Sequence, residues 1–341
     1  MSQTQPKSLE AVQPLRILLS ELTLREHRAA IDLAMDGTPW LPVLAPATDD
    51  PKGVDVDIAF VSRDVTGLST KHQILPDTQR FYSAMLEAPA LRWVHVHSAG
   101  ADRAVFGQLR QRGVTVTTSS GANAGVVAQT ALAGLLALAR HFPLLLAAQR
   151  EQRWAPLLGT GLPRDVRGQT ATIVGWGPIG QQLGAMLRLL GMSVAVVRQQ
   201  PTPAGEGFET FTFDTLHEVL PRTDWLILAC PLTDRTRGLV DGAALRRLPA
   251  GARLVNVARG EVVDEPALID ALTEGRLDGA YLDVFAHEPL PATSPLWSLP
   301  NVIATPHSAG FSDGNAARVV DIFLDNLRRR LAGQTLRNVS A

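Results

Sequence analysis

Short runs of β-branched and other apolar residues alternate along this chain with longer stretches in which apolar positions recur every three or four residues. Leu15–Leu19, Ile58–Val61, Trp93–Val96 and residues 114–117 read as strands, with helical patterns between them. A second series opens with a long helix over residues 124–140. It continues through strands at Thr170–Val174, 193–197, 225–229, 254–257, 279–282 and Val302–Ala304. Strands that alternate with helices predict parallel sheets covered by helices on both faces. The last helical pattern, residues 313–332, has no strand to follow and is expected to return to the first series. The expected organisation is a discontinuous domain of residues 1–122 and 309–341 around a continuous one of residues 123–308.

Composition narrows the partners. Lys and Arg number 32 against 33 Asp and Glu, so no electrostatic footprint for nucleic acid is expected. The most apolar stretch, residues 124–148, is interrupted by Gln129, Arg140, His141 and Pro143 and reads as a buried helix and turn, not a membrane span. Residues 1–14 are polar and lack the apolar core of a signal peptide. Cys230 is the only cysteine, so no internal disulfide is possible and a reducing cytoplasm is the expected setting. It closes an apolar run, which points to a packed small hydrophobe rather than a nucleophile.

The chemistry begins at Gly175-Trp176-Gly177-Pro178-Ile179-Gly180, between a β-branched strand and a helical pattern. This is the turn of a dinucleotide-binding βαβ unit. The first glycine allows a tight turn, the second lets a pyrophosphate approach the backbone, and the third lets helix and strand pack closely. The phosphates then meet the positive helix N-terminus. Pro178 removes one N–H but suits a first helical turn. At the end of the next strand, where NAD enzymes place a carboxylate for the ribose 2′-hydroxyl, stand Arg198, Gln199 and Gln200. A guanidinium suits a 2′-phosphate, so NADP(H) is expected over NAD(H).

Three polar residues follow the ends of late strands, where open α/β sheets put their ligand crevice: Arg259, Glu288 and His307. With GWGPIG, VNVARGEVVDEPALIDAL, GAYLDVFAHEPLP and NVIATPHSAG in order, residues 98–310 resemble the D-isomer-specific 2-hydroxyacid dehydrogenase family, especially its glyoxylate and hydroxypyruvate reductases. The resemblance implies a Rossmann nucleotide domain plus a flavodoxin-like substrate domain, both doubly wound. It implies Arg259 as the substrate-carboxylate anchor, His307 as the acid or base and Glu288 as the histidine's partner. It also implies Asp283 near the nicotinamide carboxamide, Pro231 and Thr236 over the adenosine ribose, and Ala99 and Gly100 at the substrate carboxylate. Val257 joins the cofactor-binding positions. Trp154 falls on a dimerisation arm, which implies a homodimer.

Elementary chemistry agrees with those roles. A 2-oxo acid offers a planar carboxylate beside its carbonyl, which an Arg fork matches in two parallel hydrogen bonds. Hydride delivered to the carbonyl carbon leaves charge on oxygen, and a positioned imidazole supplies the proton. No metal is expected, because Arg259 already provides the electrophile. Two departures bear on specificity: Gln129 replaces an acid found in many relatives, and residues 62–73, read as a solvated loop, differ from the reductases. Arg63 and His72 in that loop are candidates for reading a second polar group. The rival reading is a nucleotide-sensing scaffold that binds a protein partner without turnover, against which stands the intact Arg259, Glu288 and His307 set.

Overall fold

The computed structural model describes residues 13–45, 54–159 and 162–340, so the reading of the first 14 residues falls almost wholly outside it. Two compact units emerge, Met1–Ser119 with Ala316–Ala341, and Ser120–Asn315. The first runs β1 (Leu15–Leu19), α1 (Glu21–Met35), β2 (Trp40–Leu44), β3 (Ile58–Val61), α2 (Arg63–Thr66), α3 (Pro76–Glu87), β4 (Trp93–Val96), α4 (Ala104–Gln111) and β5 (Thr115–Thr118). Its sheet is wholly parallel in the order β2-β1-β3-β4-β5. β3 and β4 are buried along their full lengths, which explains why they read as unbroken apolar runs.

The second unit runs α5 (Ala124–Ala139), α6 (Phe142–Arg150), β6 (Thr170–Val174), α7 (Pro178–Leu189), β7 (Ser193–Arg198), β8 (Glu209–Thr212), α8 (Leu216–Val219) and β9 (Trp225–Leu228). It continues with α9 (Gly242–Arg247), β10 (Ala252–Asn256), α10 (Glu265–Thr273), β11 (Leu277–Leu282) and β12 (Val302–Ala304). Its parallel sheet has the order β12-β11-β10-β9-β6-β7-β8, so the strand order reverses between β6 and β9. One face packs Leu245, Leu268 and Leu272 from α9 and α10, and the other packs Leu135, Leu183 and Leu187 from α5 and α7. The last helix, α11 (Asn315–Leu331), sets Phe323 in the first core, stacked on Phe60 at 4.4 Å and on Trp93 at 5.5 Å.

Two features depart from the sequence reading. Strands β2 and β8 lie at sheet edges, partly buried; β2 is apolar but carries Pro42, and β8 has Phe211 as its one apolar residue. The apolar stretch, read as a helix and turn, does break at His141, whose φ of +56° is left-handed, and α6 leaves α5 at 71°. Among the described residues no single helix is long and apolar enough to cross a membrane. Residues 62–73 are no plain solvated loop: α2 forms there, and Ser62, Val65, Thr66 and Ser69 are buried.

Candidate active site

The glycine turn sits at the point where the second sheet's strand order reverses. Gly175 has φ +105°, and a Cβ there would come within 2.6 Å of the Cys230 nitrogen beyond β9. A Cβ on Gly180 would collide with the Gly175 carbonyl oxygen, so α7 packs against β6 only through a glycine. At Gly177, the N-cap of α7, nothing lies within 4 Å of a built Cβ. A turn with a tight first position, an open second and a closely packed third fits a dinucleotide pyrophosphate at the helix N-terminus. Pro178 and Ile179 open the helix.

The Gly175 N–H donates to the Val197 carbonyl at 2.8 Å, which brings the turn beside the end of β7. Arg198 ends that strand half-buried, donating weakly to the Thr202 carbonyl at 3.4 Å, and Gln199 is exposed. Beyond β9, Pro231 is exposed, whereas Thr236 is 1% exposed. The Thr236 hydroxyl donates to the Pro231 carbonyl at 2.7 Å and accepts the Thr233 N–H at 2.8 Å. Thr236 therefore shapes the loop rather than facing a ligand. Cys230 is buried and its thiol is pushed up to about 12 by burial, which makes it inert.

Arg259 stands half-buried just past β10 and donates to the Ala258 carbonyl at 2.7 Å. Its backbone is held by Asn256, 2% exposed, whose amide nitrogen donates to the Arg259 carbonyl at 3.1 Å and whose amide oxygen accepts the Ala258 N–H at 3.0 Å. Val257 is buried beside it and donates to the Leu228 carbonyl.

His307 follows β12, and its Nδ1 lies 2.8 Å from Glu288 Oε2. The carboxylate is nearly buried, with 11% of its side chain exposed, while the ring is 48% exposed. Glu288 Oε1 accepts the Phe285 N–H at 3.1 Å, which fixes the carboxylate on its own loop. With Nδ1–H donated to Glu288, Nε2 is left on the outward edge of the ring.

The histidine's backbone has φ +50°, a conformation that costs a non-glycine residue on the order of 1 kcal/mol. Asp283, 2% exposed, holds it there. Its carbonyl accepts the His307 N–H at 2.8 Å; its Oδ1 accepts the Thr305 hydroxyl at 2.7 Å and the Ser308 N–H at 2.8 Å, and its Oδ2 accepts the Ala309 N–H at 3.0 Å. Burial pushes the Asp283 carboxyl above the usual range against the pull of these donors. Asp283 thus latches the histidine loop. Asn256, Thr305 and Glu265, which accepts the Ala286 N–H at 2.9 Å, are supports that sequence reasoning missed.

The remaining expected residues lie elsewhere. Ala99 and Gly100 follow β4 in the first unit, where the Ser98 hydroxyl donates to the Gly100 carbonyl at 2.6 Å. Trp154 is 95% exposed on the segment after α6.

A nucleotide turn at a sheet reversal and a carboxylate-backed histidine beyond the edge strand β12 of the same sheet define a pyridine-nucleotide oxidoreductase. A family model described as "D-isomer specific 2-hydroxyacid dehydrogenase, NAD binding domain" matches residues 132–309, just over half the chain. A glyoxylate reductase of Korarchaeum cryptofilum is 35% identical over 247 residues, 70% of this chain and 73% of that one. A glyoxylate/hydroxypyruvate reductase B of Pectobacterium atrosepticum is 33% identical over 285 residues, 82% and 88%. Among solved structures, a D-isomer specific 2-hydroxyacid dehydrogenase from Xanthobacter autotrophicus Py2, in complex with NADPH and MES, aligns with TM-score 0.75, 30% identity and coverage of 96% and 98%. The chain belongs to the D-isomer specific 2-hydroxyacid dehydrogenase family and is an NAD(P)-dependent oxidoreductase.

Proposed function

We propose that the enzyme reduces a small 2-oxo acid of the glyoxylate or hydroxypyruvate kind to the D-2-hydroxy acid, with NADPH preferred. The observation that carries this reading is the His307–Glu288 pair at 2.8 Å, a half-exposed ring backed by a nearly buried carboxylate. The bound cofactor supplies the hydride. Arg259 takes the substrate carboxylate in a two-pronged hydrogen bond and draws charge from the adjacent carbonyl. Nε2 of His307 gives its proton to the carbonyl oxygen as charge gathers there, and Glu288 holds the ring through Nδ1. Ala99 and Gly100, beyond β4, are the further proposed substrate-binding positions, through their backbone N–H groups. In the reverse direction His307 takes the hydroxyl proton.

Gly175, Gly177, Pro178, Ile179 and Gly180 would hold the pyrophosphate, and Arg198 with Gln199 the 2′-phosphate. Pro231, Val257 and Asp283 line the rest of the cofactor's path, with Thr236 shaping its loop. A second copy of the chain is proposed to cover the exposed Phe142, Leu144, Leu146, Trp154 and Leu158, giving a homodimer. A reducing cytoplasm suits the single buried thiol. The test follows NADPH absorbance with glyoxylate, hydroxypyruvate and phenylpyruvate: turnover is expected, and none on a wide panel with either cofactor would overturn the proposal.

A further inference from the structure

Trp176, between the first two glycines of the phosphate turn, is the one position of that motif to which the proposed reaction gives no task. Its side chain is partly buried. A Cβ on Gly184 of α7 would come within 2.8 Å of the indole, so the helix makes room for the ring with a glycine. The indole Nε1–H donates to the Ala204 carbonyl at 2.9 Å. The same ring meets Phe208 at 60°, with centroids 4.7 Å apart.

Ala204 and Phe208 belong to the segment that runs from Arg198, at the end of β7, to β8. Of residues 199–208 only these two are partly buried, and the others are exposed. Both points at which the segment is covered therefore rest on Trp176. Ties from the two neighbouring elements act at the same place. The Ala204 N–H donates to the Thr210 hydroxyl of β8 at 2.9 Å, and Arg188 of α7 donates to the Glu206 carbonyl at 3.2 Å and lies over the Phe208 ring at 4.9 Å. Arg198 in turn leans on the Thr202 carbonyl of this segment through a long bond of 3.4 Å, so the guanidinium goes where the segment goes. A loop ordered before its ligand arrives spares the complex the entropy of ordering it, and an indole with a ring face and one donor is a rigid means of doing so.

We propose that Trp176 is a positioning residue for cofactor discrimination. By holding residues 199–208 through Ala204 and Phe208, it fixes Arg198 and Gln199 where they meet the 2′-phosphate of NADPH. It acts on the choice between the two cofactors, not on hydride transfer. This inference rests on the proposed NADPH preference and names what keeps that site in shape.

The experiment measures kcat/KM for NADPH and NADH, and by calorimetry Kd for NADP+ and NAD+, in the parent, Trp176→Phe, Arg198→Gln and the double variant. The calorimetric arm reads the same preference with no substrate present. Trp176→Phe keeps a ring for Phe208 and removes the N–H donor. It should lower the NADPH-over-NADH ratio about threefold to tenfold, the worth of one neutral hydrogen bond, through the KM for NADPH and with kcat held. Phe208→Leu removes the second contact, leaves the turn itself untouched and should shift the ratio the same way. With Arg198→Gln in place, Trp176→Phe should leave the ratio where it is, because the indole acts through the arginine. Trp297→Phe, which removes an indole bond to the Pro291 carbonyl of 3.0 Å between β11 and β12, should change neither cofactor. Equal weakening of both cofactors by Trp176→Phe, or a shift that adds in full to that of Arg198→Gln, overturns the proposal. A parent that prefers NADPH with a ratio indifferent to Trp176→Phe overturns it too and leaves the cofactor reading standing, whereas a parent without that preference overturns both.

Discussion

The two units use the same side chain, histidine, within or beyond their strands and put it in opposite company. In the second, His307 is backed by the Glu288 carboxylate and half its ring is exposed. In the first, His95 is fully buried in β4 between the hydroxyls of Thr117 and Ser119, at 2.8 and 3.0 Å, and His97 meets Thr66 and two guanidinium groups. Both first-unit rings are pushed down to about 3, chiefly by burial. A carboxylate partner and an open edge suit a ring to proton transfer, whereas hydroxyl partners and burial keep it neutral. The difference lies in the neighbours, not in the imidazole.

The sharpest way to test that contrast is to remove the exposed ring. His307→Ala should lower kcat/KM by a factor of about 10² to 10⁴, the usual worth of a positioned acid. Glu288→Gln keeps an acceptor for Nδ1–H but loses the charge, and should cost less than His307→Ala. Both are read by NADPH oxidation, with circular dichroism to show that the fold persists. Near-full activity in His307→Ala would break the comparison at its root.

Much of this contrast was legible in the residues themselves, and the illegible part has a common cause. The glycine turn and Arg198 follow local patterns, and Arg259, Glu288 and His307 were marked by their places after strand ends together with the family resemblance. Asn256, Glu265 and Thr305 act on backbone groups and carboxylates that only the folded sheet brings near, and nothing in a strand-end Asn or a first-turn Glu announces this. The edge strand β2 is masked by Pro42 within its apolar run, and β8 has one apolar residue in four. The packing of residues 62–73 was illegible for a further reason: the segment is polar on average, yet Ser62, Thr66 and Ser69 are buried within it.

Arginine offers a second comparison. Arg198 ends β7 beside the glycine turn, as Arg63 follows β3 beside a strand-order reversal. Arg198→Asp should shift the ratio of kcat/KM for NADPH over NADH toward NADH by about a hundredfold, since a favourable charge-assisted contact becomes a repulsion. An unchanged ratio would remove Arg198 from the cofactor site.

A smaller effect is expected at the latch. Asp283→Asn keeps the shape but offers its neighbours a weaker, neutral acceptor and, on one side, a donor. Loss of charge-assisted bonds to the loop should lower kcat about tenfold with little change in KM. That split distinguishes mispositioning of His307 from general loosening, which thermal unfolding would reveal without it.

The smallest expected effect reads the buried ring of the first unit. His95 is neutral in the folded chain, with a pKa of about 3, and titrates near the ordinary 6.5 when unfolded. The unfolded state therefore binds more protons between these values, so this contribution to stability is fully present above pH 6.5 and is lost as pH falls toward 3. At pH 5.5 the loss is about 1.4 kcal/mol, one pH unit of linkage. His95→Gln can retain contacts to Thr117 and Ser119 without a titrating ring, so its denaturation midpoint should fall less steeply from pH 7 to 5.5 than that of the parent. His307→Gln, at a half-exposed ring outside that core, should leave the slope nearly as it was. If both variants flatten the curve alike, burial is not what separates the two histidines, and the contrast between the units fails.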